Sequence, residues 1–311
     1  MNDDDRWERD VLKQVALESI REQRRARRWN IAFRLFIMAY LLFLLAMTPS
    51  CRFGFGDDGA IGPHTALVRV SGAIMDESPA SAETILQGLT AAFEAPNVRG
   101  VVLKINSPGG SPVQAGIVYD EIRRLKAQYP EVPVYAVVGD MAASGAYYIA
   151  VAADRIYVDK ASMVGSIGVL MNGFGFTGMM DKLGVERRLL IAGEHKGFLD
   201  PFSEPEPESV RHAQHMLNKI HEQFIDVVKE GRGDRLRPDP AIFSGLIWTG
   251  EESIELGLAD ELGNVGYVAR QVIGHEEIVD YTPRLDFLSR VTERFGAAVV
   301  RAFELRATSL H

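Results

Sequence analysis

From Ala66 onward the hydrophobic residues change spacing repeatedly. ALVRVSGAI (66–74), GVVLKINSP (100–108) and VPVYAVVGD (132–140) are short, nearly continuous apolar runs, the pattern of strands buried on both faces. Between the first two, SAETILQGLTAAFEAP sets Ile85, Leu89, Ala92 and Phe93 at helical intervals behind a capping Ser81. Between the second and third, VQAGIVYDEIRRLKAQYP reads as a helix that stops at Pro130. A shorter helix, from about Ser144 to Ala152, leads into RIYVDKAS. Strands alternating with helices predict an α/β fold, with a parallel sheet covered on its faces and functional groups on loops at the strands' carboxyl ends.

Upstream the pattern is of another kind. Between Trp29 and Thr48 only Asn30 and Arg34 are strongly polar, and both sit near the start. The run is roughly 20 residues, the length that crosses a ~30 Å hydrocarbon core. RRARRWN, with four arginines, precedes it. By the positive-inside rule this predicts a retained membrane anchor at 29–48, with residues 1–28 cytoplasmic and everything after about residue 50 outside. A cleaved signal peptide is the competing reading, but the polar stretch ahead is long for one. Within that stretch Trp7, Val11, Leu12, Val15, Leu17 and Ile20 recur at helical spacing, as on an amphipathic helix lying on the inner membrane face or against a copy of itself. A Gly-rich linker is expected over 49–64 and a folded domain over 65–280. The tail, 281–311, repeats Leu285, Leu288, Val291, Phe295, Val299 and Phe303 on one helical face.

Composition narrows the partners. A net charge of −8 and a pI near 5.5 over 311 residues argue against nucleic acid, which requires clustered cations on the folded part. The single cysteine, Cys51, excludes an internal disulfide framework and any multi-cysteine metal site.

Two loops carry candidate chemistry. NSPGGS (106–111) follows the second strand, and its glycines allow a tight turn with outward-facing amides; an ordinary turn would read the same way. GDMAASG (139–145) follows the third strand and places Ser144 at the first turn of a helix, where free N–H groups favour developing negative charge. A serine flanked by backbone donors is the minimum for attack on a carbonyl. The G-x-S-x-G elbow is absent, since Ala142 and Ala146 occupy its glycine positions. A base is harder to find. His64 falls in the linker, and His212, His215 and His221 lie on a polar helical stretch that reads as a solvated face rather than a metal site. Lys196, in AGEHKGFLDPF between Gly193 and Gly197, is the remaining candidate, although a plain surface lysine fits the segment equally.

Taken in order, NSPGGS, AASGAYYIA, GSIGV with Ser166, Lys196 ahead of FLDPF, and TGEESIELGLADELG closely resemble the bacterial signal peptide peptidase SppA family in its short, membrane-anchored form, over roughly residues 62–280. The resemblance implies a ClpP/crotonase-like fold of repeated ββα units and a Ser–Lys dyad. Ser144 is then the nucleophile, Lys196 the general base and Ser166 the hydroxyl that orients the lysine. The amide of Gly109 or Gly110, together with that of Gly145, would bind the oxyanion. Burial would have to lower the lysine's pKa from about 10.4 for it to act as a base near neutrality. The implied substrates are hydrophobic peptides, above all cleaved signal peptides, and the implied assembly is a homo-oligomeric ring at the membrane, in which the lysine serves its own serine or a neighbour's. No metal or other cofactor is implied. His195 stands where relatives often carry Tyr, and Arg34 is unusual inside an anchor.

The small residues around Ser144 are expected to line a groove for an extended peptide. GVLMNGFGFTGMM (168–180) reads either as a core strand with a turn or as an apolar wall of that groove. Two rival functions keep the same fold: a crotonase-type acyl-CoA hydratase or isomerase, and a non-catalytic membrane scaffold.

Overall fold

The structure, a computed structural model, describes residue 25 and residues 27–41 and 62–283. The chain divides into two units, Met1–Gly59 and Ala60–His311. In the first, residues 27–41 form helix α1, with exposed side chains throughout. It contains the first part of the predicted anchor, residues 29–41; the remainder, 42–48, lies outside the described residues. So do the predicted N-terminal amphipathic segment, all of the linker up to residue 61 and the tail from residue 284. No described helix is long and apolar enough to cross a membrane.

The second unit follows the alternation read from the sequence. Its order is β1 (His64–Ser71), α2 (Ala82–Glu94), β2 (Val98–Ser107), α3 (Pro112–Gln128), β3 (Val134–Ala143), α4 (Gly145–Ala150), β4 (Arg155–Val158) and β5 (Met163–Gly165). There follow α5 (Thr177–Leu183), α6 (Pro207–Arg232), β6 (Ile247–Thr249), α7 (Gly250–Glu255), β7 (Glu261–Leu262), α8 (Val265–Tyr267) with a π-helical turn (Val268–Ile273), and β8 (Ile278–Asp280). One eight-stranded sheet runs β6-β5-β3-β2-β1-β8, with β4 beside β3 and β7 beside β4. Every pairing is parallel except β5 with β6.

The pairing of the long strands changes partway along. The β2–β3 register shifts between Ile105 and Ser107. The first half of β3, Tyr135–Val137, pairs with β4, and its second half, Met141–Ala143, pairs with β5.

Helix α2 starts where Ser81 accepts a hydrogen bond from the Thr84 N–H, and it buries Ile85, Leu89, Ala92 and Phe93, the face its spacing predicted. Ile85, Leu89 and Phe93 each contribute about 1.5–3 kcal/mol of apolar burial. Ser111 caps α3 in the same way, and Thr249 and Glu252 form a reciprocal capping box on α7. The main core joins these helices to one face of the sheet. On the other face, Leu67, Val102, Val137 and Tyr157 pack beneath Val268.

Two expectations change. His64 is not linker: it is the first residue of β1, fully buried, with Nε2 2.9 Å from the Tyr281 hydroxyl and Nδ1 3.0 Å from the Gly62 carbonyl. A β-strand needs its first residue hydrogen-bonded, and the His64 N–H donates to the Asn97 carbonyl. Residues 168–180 hold no core strand. They run irregularly into α5, which buries nothing, and leave Leu170 81% and Phe174 76% exposed.

Candidate active site

Ser144 sits at the junction between β3 and α4 with φ 54° and ψ −124°. An L-residue held in so sparsely populated a conformation costs on the order of 1–3 kcal/mol. The chain enters along β3, turns at this one residue and leaves as a helix, presenting the side chain at the corner. Its own N–H is fixed by the Gly165 carbonyl at 2.8 Å, and its carbonyl accepts from the N–H groups of Tyr147 and Tyr148. The sharp strand-to-helix turn thus forms without the glycines of the G-x-S-x-G pattern.

The loop after β2 packs directly against this corner. A Cβ on Gly109 would lie 2.6 Å from the Ala143 carbonyl oxygen and 2.8 Å from the Ser144 Cβ, and its φ of 91° also favours glycine. The Gly109 N–H donates to Ser107 Oγ at 3.1 Å, so it is already engaged. Gly110 N lies 3.4 Å from where a Gly145 Cβ would project. Among the described residues, neither the Gly110 nor the Gly145 N–H has a hydrogen-bond partner. Of the glycine pair, Gly110 is the one with a free donor beside the serine.

Ser166 arrives from β5. Ala143 is paired with Gly165, which carries the next residue to the same corner; Ser166 has φ 52°, and its N–H donates to the Leu246 carbonyl at 2.7 Å. Ser144, Gly145, Gly110 and Ser166 line one cavity of about 570 Å³, with Tyr148, Ile220 and Phe224 among its apolar walls. The Tyr148 and Phe224 rings pack against each other tilted by 39°, their centroids 5.1 Å apart. Burial, with the charge of Asp120 adding to it, raises the Tyr148 phenol above its usual pKa and keeps it neutral.

The alanines behave otherwise than expected. Ala142, Ala143 and Ala146 are buried and do not line the cavity; of that stretch only Ser144, Gly145 and Tyr148 do. They are small because the β2–α3 loop and the core close in on both sides of the corner, as the Gly109 contacts show.

Lys196 is not brought to this cavity. It lies exposed in the turns of residues 194–199, its N–H donating to the Gly193 carbonyl. That segment is tied to its own surroundings, through Arg187 to Asp200 at 2.7 Å and through Phe198 edge-on to His212. His195 and His212 line a separate cavity of about 400 Å³, and the His221 ring reaches the Ile167 carbonyl. Among the described residues no group of His, Cys, Asp and Glu has metal-binding geometry. A larger cavity, about 890 Å³ with Lys104, Asp140 and Tyr267 in its walls, holds none of the predicted residues, and Gly110 and Gly145 line the smaller one.

The stretch read as a possible apolar wall, 168–180, contributes Gly168, Val169 and Leu170 to the cavity, whereas the walls from α4 and α6 were not anticipated. Tyr148 had a signal, because it lies one helical turn from Ser144 on the same face. Ile220, Gln223 and Phe224 on α6 had none, because nothing in a helix nearly 80 residues downstream says which cleft it closes.

Residues 126–278 match the family model for peptidase family S49, and residues 66–164 match that for Clp protease. The chain is 41% identical over 220 residues to a protein of Brucella melitensis named Na(+)/H(+) antiporter NhaA, covering 69% of this chain but 30% of that protein. It is 28% identical over 215 residues to an Enterococcus faecium protein provisionally described as a signal peptide peptidase SppA, covering 67% of this chain and 62% of the relative. Against Protease 4 of Haemophilus influenzae it is 31% identical over 205 residues, covering 64% of this chain and 32% of the relative. The chain thus spans less than a third of the Brucella and Haemophilus proteins. The S49 match runs from the end of α3 through the Ser144 corner to β8, and together with the protease-named relatives it makes the chain similar to the SppA-like peptidases of family S49.

Proposed function

We propose that this chain is a serine endopeptidase that degrades cleaved signal peptides and other hydrophobic peptides, with Ser144 as nucleophile and Lys196 as general base. The observation that carries the reading is the convergence on one cavity of a strained serine, a second hydroxyl and two unengaged backbone donors. Ser144 Oγ attacks the scissile carbonyl carbon and passes its proton to the neutral amine of Lys196. The oxyanion forms between the N–H groups of Gly110 and Gly145. The lysine then protonates the leaving amine as the C–N bond breaks, and the acyl-enzyme is hydrolysed by a water that the same amine deprotonates. Ser166 orients the lysine.

This chemistry requires Lys196 to be desolvated beside Ser144, whereas within the single chain it is exposed. We infer that assembly into a homo-oligomeric ring provides the burial, the segment around Leu170, Phe174, Leu183 and Leu190 being covered by a neighbour; Leu190 is 97% exposed on the isolated chain. The predicted anchor at 29–48 would tether that ring to the outer side of the bacterial cytoplasmic membrane. The antiporter name of the Brucella relative is not carried over, because this chain matches only 30% of that protein.

The test is a fluorophosphonate probe followed by peptide mapping. Label on Ser144 alone, lost in Ser144→Ala, supports the reading. An unlabelled but correctly folded and assembled chain refutes it and favours the acyl-CoA or scaffold alternatives, which need no nucleophilic serine.

A further inference from the structure

Helix α4, which begins beside Ser144, has only six residues, too few to hold itself in place. It is fixed by a buried polar cluster outside the cavity. The Tyr147 side chain is fully buried, and its hydroxyl donates to the Leu258 carbonyl at 2.8 Å. Leu258 belongs to a turn gripped by Arg232. The Arg232 Nε donates to the Gly257 carbonyl at 2.8 Å, and Nη1 and Nη2 donate to the two Asp260 oxygens at 2.8 and 3.0 Å. Asp260 also accepts from the Ile156 N–H in β4 at 2.7 Å. The Arg232 and Asp260 side chains are 1% and 8% exposed. Next to Arg232, Gly231 lies so near the end of α4 that a Cβ there would collide with the Val151 carbonyl oxygen.

None of Tyr147, Arg232 and Asp260 lines the cavity with Ser144. They join α6, β4 and the 257–260 turn to the underside of the nucleophile's helix. A buried ion pair is a poor source of net stability, since desolvation offsets most of its attraction, but its bidentate geometry fixes position. A strained residue stays strained only where its surroundings over-determine it. Ser144 itself is held by the Gly165 carbonyl, and, three residues on, its helix is held by Tyr147.

We propose that Tyr147, Arg232 and Asp260 are positioning residues for Ser144, a clamp on α4 that keeps the strained serine in its attacking geometry. The proposal rests on the serine-peptidase reading. Its test is made on the full-length chain. A fluorophosphonate carried to its endpoint counts reactive sites, and kcat and KM for a hydrophobic peptide are then expressed per titrated site. In Tyr147→Phe, which removes one oxygen, kcat per titrated site should fall about tenfold with KM little changed, because a small misplacement of the nucleophile weakens reaction rather than binding. Arg232→Lys, which keeps the charge but loses the fork, should fall further. If Arg232→Lys does not fold, Tyr147→Phe decides alone. A variant whose titrated fraction or melting temperature drops while kcat per titrated site stays at the wild-type value overturns the clamp, leaving these residues a purely structural role. A wild-type chain that takes no label on Ser144 overturns the peptidase reading, and the clamp with it.

Discussion

At the scale of single residues, the corner at Ser144 opposes stability to activity. Its φ and ψ suit glycine far better than any L-residue. Ser144→Gly should therefore raise the melting temperature while abolishing peptide cleavage, and Ser144→Ala should be equally inactive without that gain; the strain relieved is on the order of 1 kcal/mol. Calorimetry alongside a peptide assay checks both, and a Ser144→Gly chain less stable than wild type would show that the hydroxyl is structural. Gly109 is constrained twice, by φ and by the Ala143 carbonyl 2.6 Å from where its Cβ would stand. Gly109→Ala should cost several degrees of melting temperature and most of the fluorophosphonate labelling, because the loop that carries the Gly110 donor has to move. Lys196→Arg should be as inactive as Lys196→Ala, since a guanidinium does not release its proton near neutrality; activity in the arginine variant would remove Lys196 from the mechanism. Ser166→Ala should cost about 10 to 100-fold in rate, as for an orienting group.

Among the elements, the joint between α6, α4 and β4 gives the domain a definite acid response. Burial would raise the pKa of Asp260, but its hydrogen bonds and charge interaction with Arg232 outweigh that and hold it below the usual carboxylate range. The unfolded chain therefore binds this proton at higher pH than the folded one. The stabilisation is complete above the unfolded value, about 3.9, and is lost as pH falls through the lower folded value. Asp260→Asn should lower stability at pH 7 and flatten its decline below about pH 4, read as melting temperature against pH. Asp260→Ala should be worse, at about 3–5 kcal/mol, because Arg232 is left buried without its counter-charge. An Asp260→Asn profile parallel to wild type through the acid range would remove this pair from the acid response.

For the whole molecule, activity, assembly and membrane attachment separate experimentally. Removing residues 1 to about 53 should release a soluble oligomer that still cleaves small peptides, because every residue of the Ser144 cavity lies between Pro108 and Gly245. Light scattering gives its mass. A monomer cleaving at the full rate would show that no neighbour is needed to bring Lys196 into use. In inside-out vesicles the domain should be protected from added protease, as the four arginines ahead of the apolar run require; digestion there would reverse the orientation.

The elements of the second unit were legible in the chain because periodicity is local: burial on a strand or on one face of a helix writes itself into spacing over a few residues. That is why Ser81 as a cap, the α2 face and the place of Ser144 after β3 were all readable. So was Ser144 as the candidate nucleophile, from its position among helix-start amides. What depended on pairing between distant segments was not readable. Only the β3–β5 register, Ala143 against Gly165, brings Ser166 to Ser144. Only the Ser107 hydroxyl, by engaging Gly109, distinguishes it from Gly110. The alanines around the serine carried no mark of whether they face a groove or a packed core, since a small side chain suits both, and tertiary packing decided for the core. Lys196 shows the same division. Its residue type suits the chemistry, but the desolvation a lysine base requires is a property of what surrounds it, and within the single chain it is surrounded by solvent.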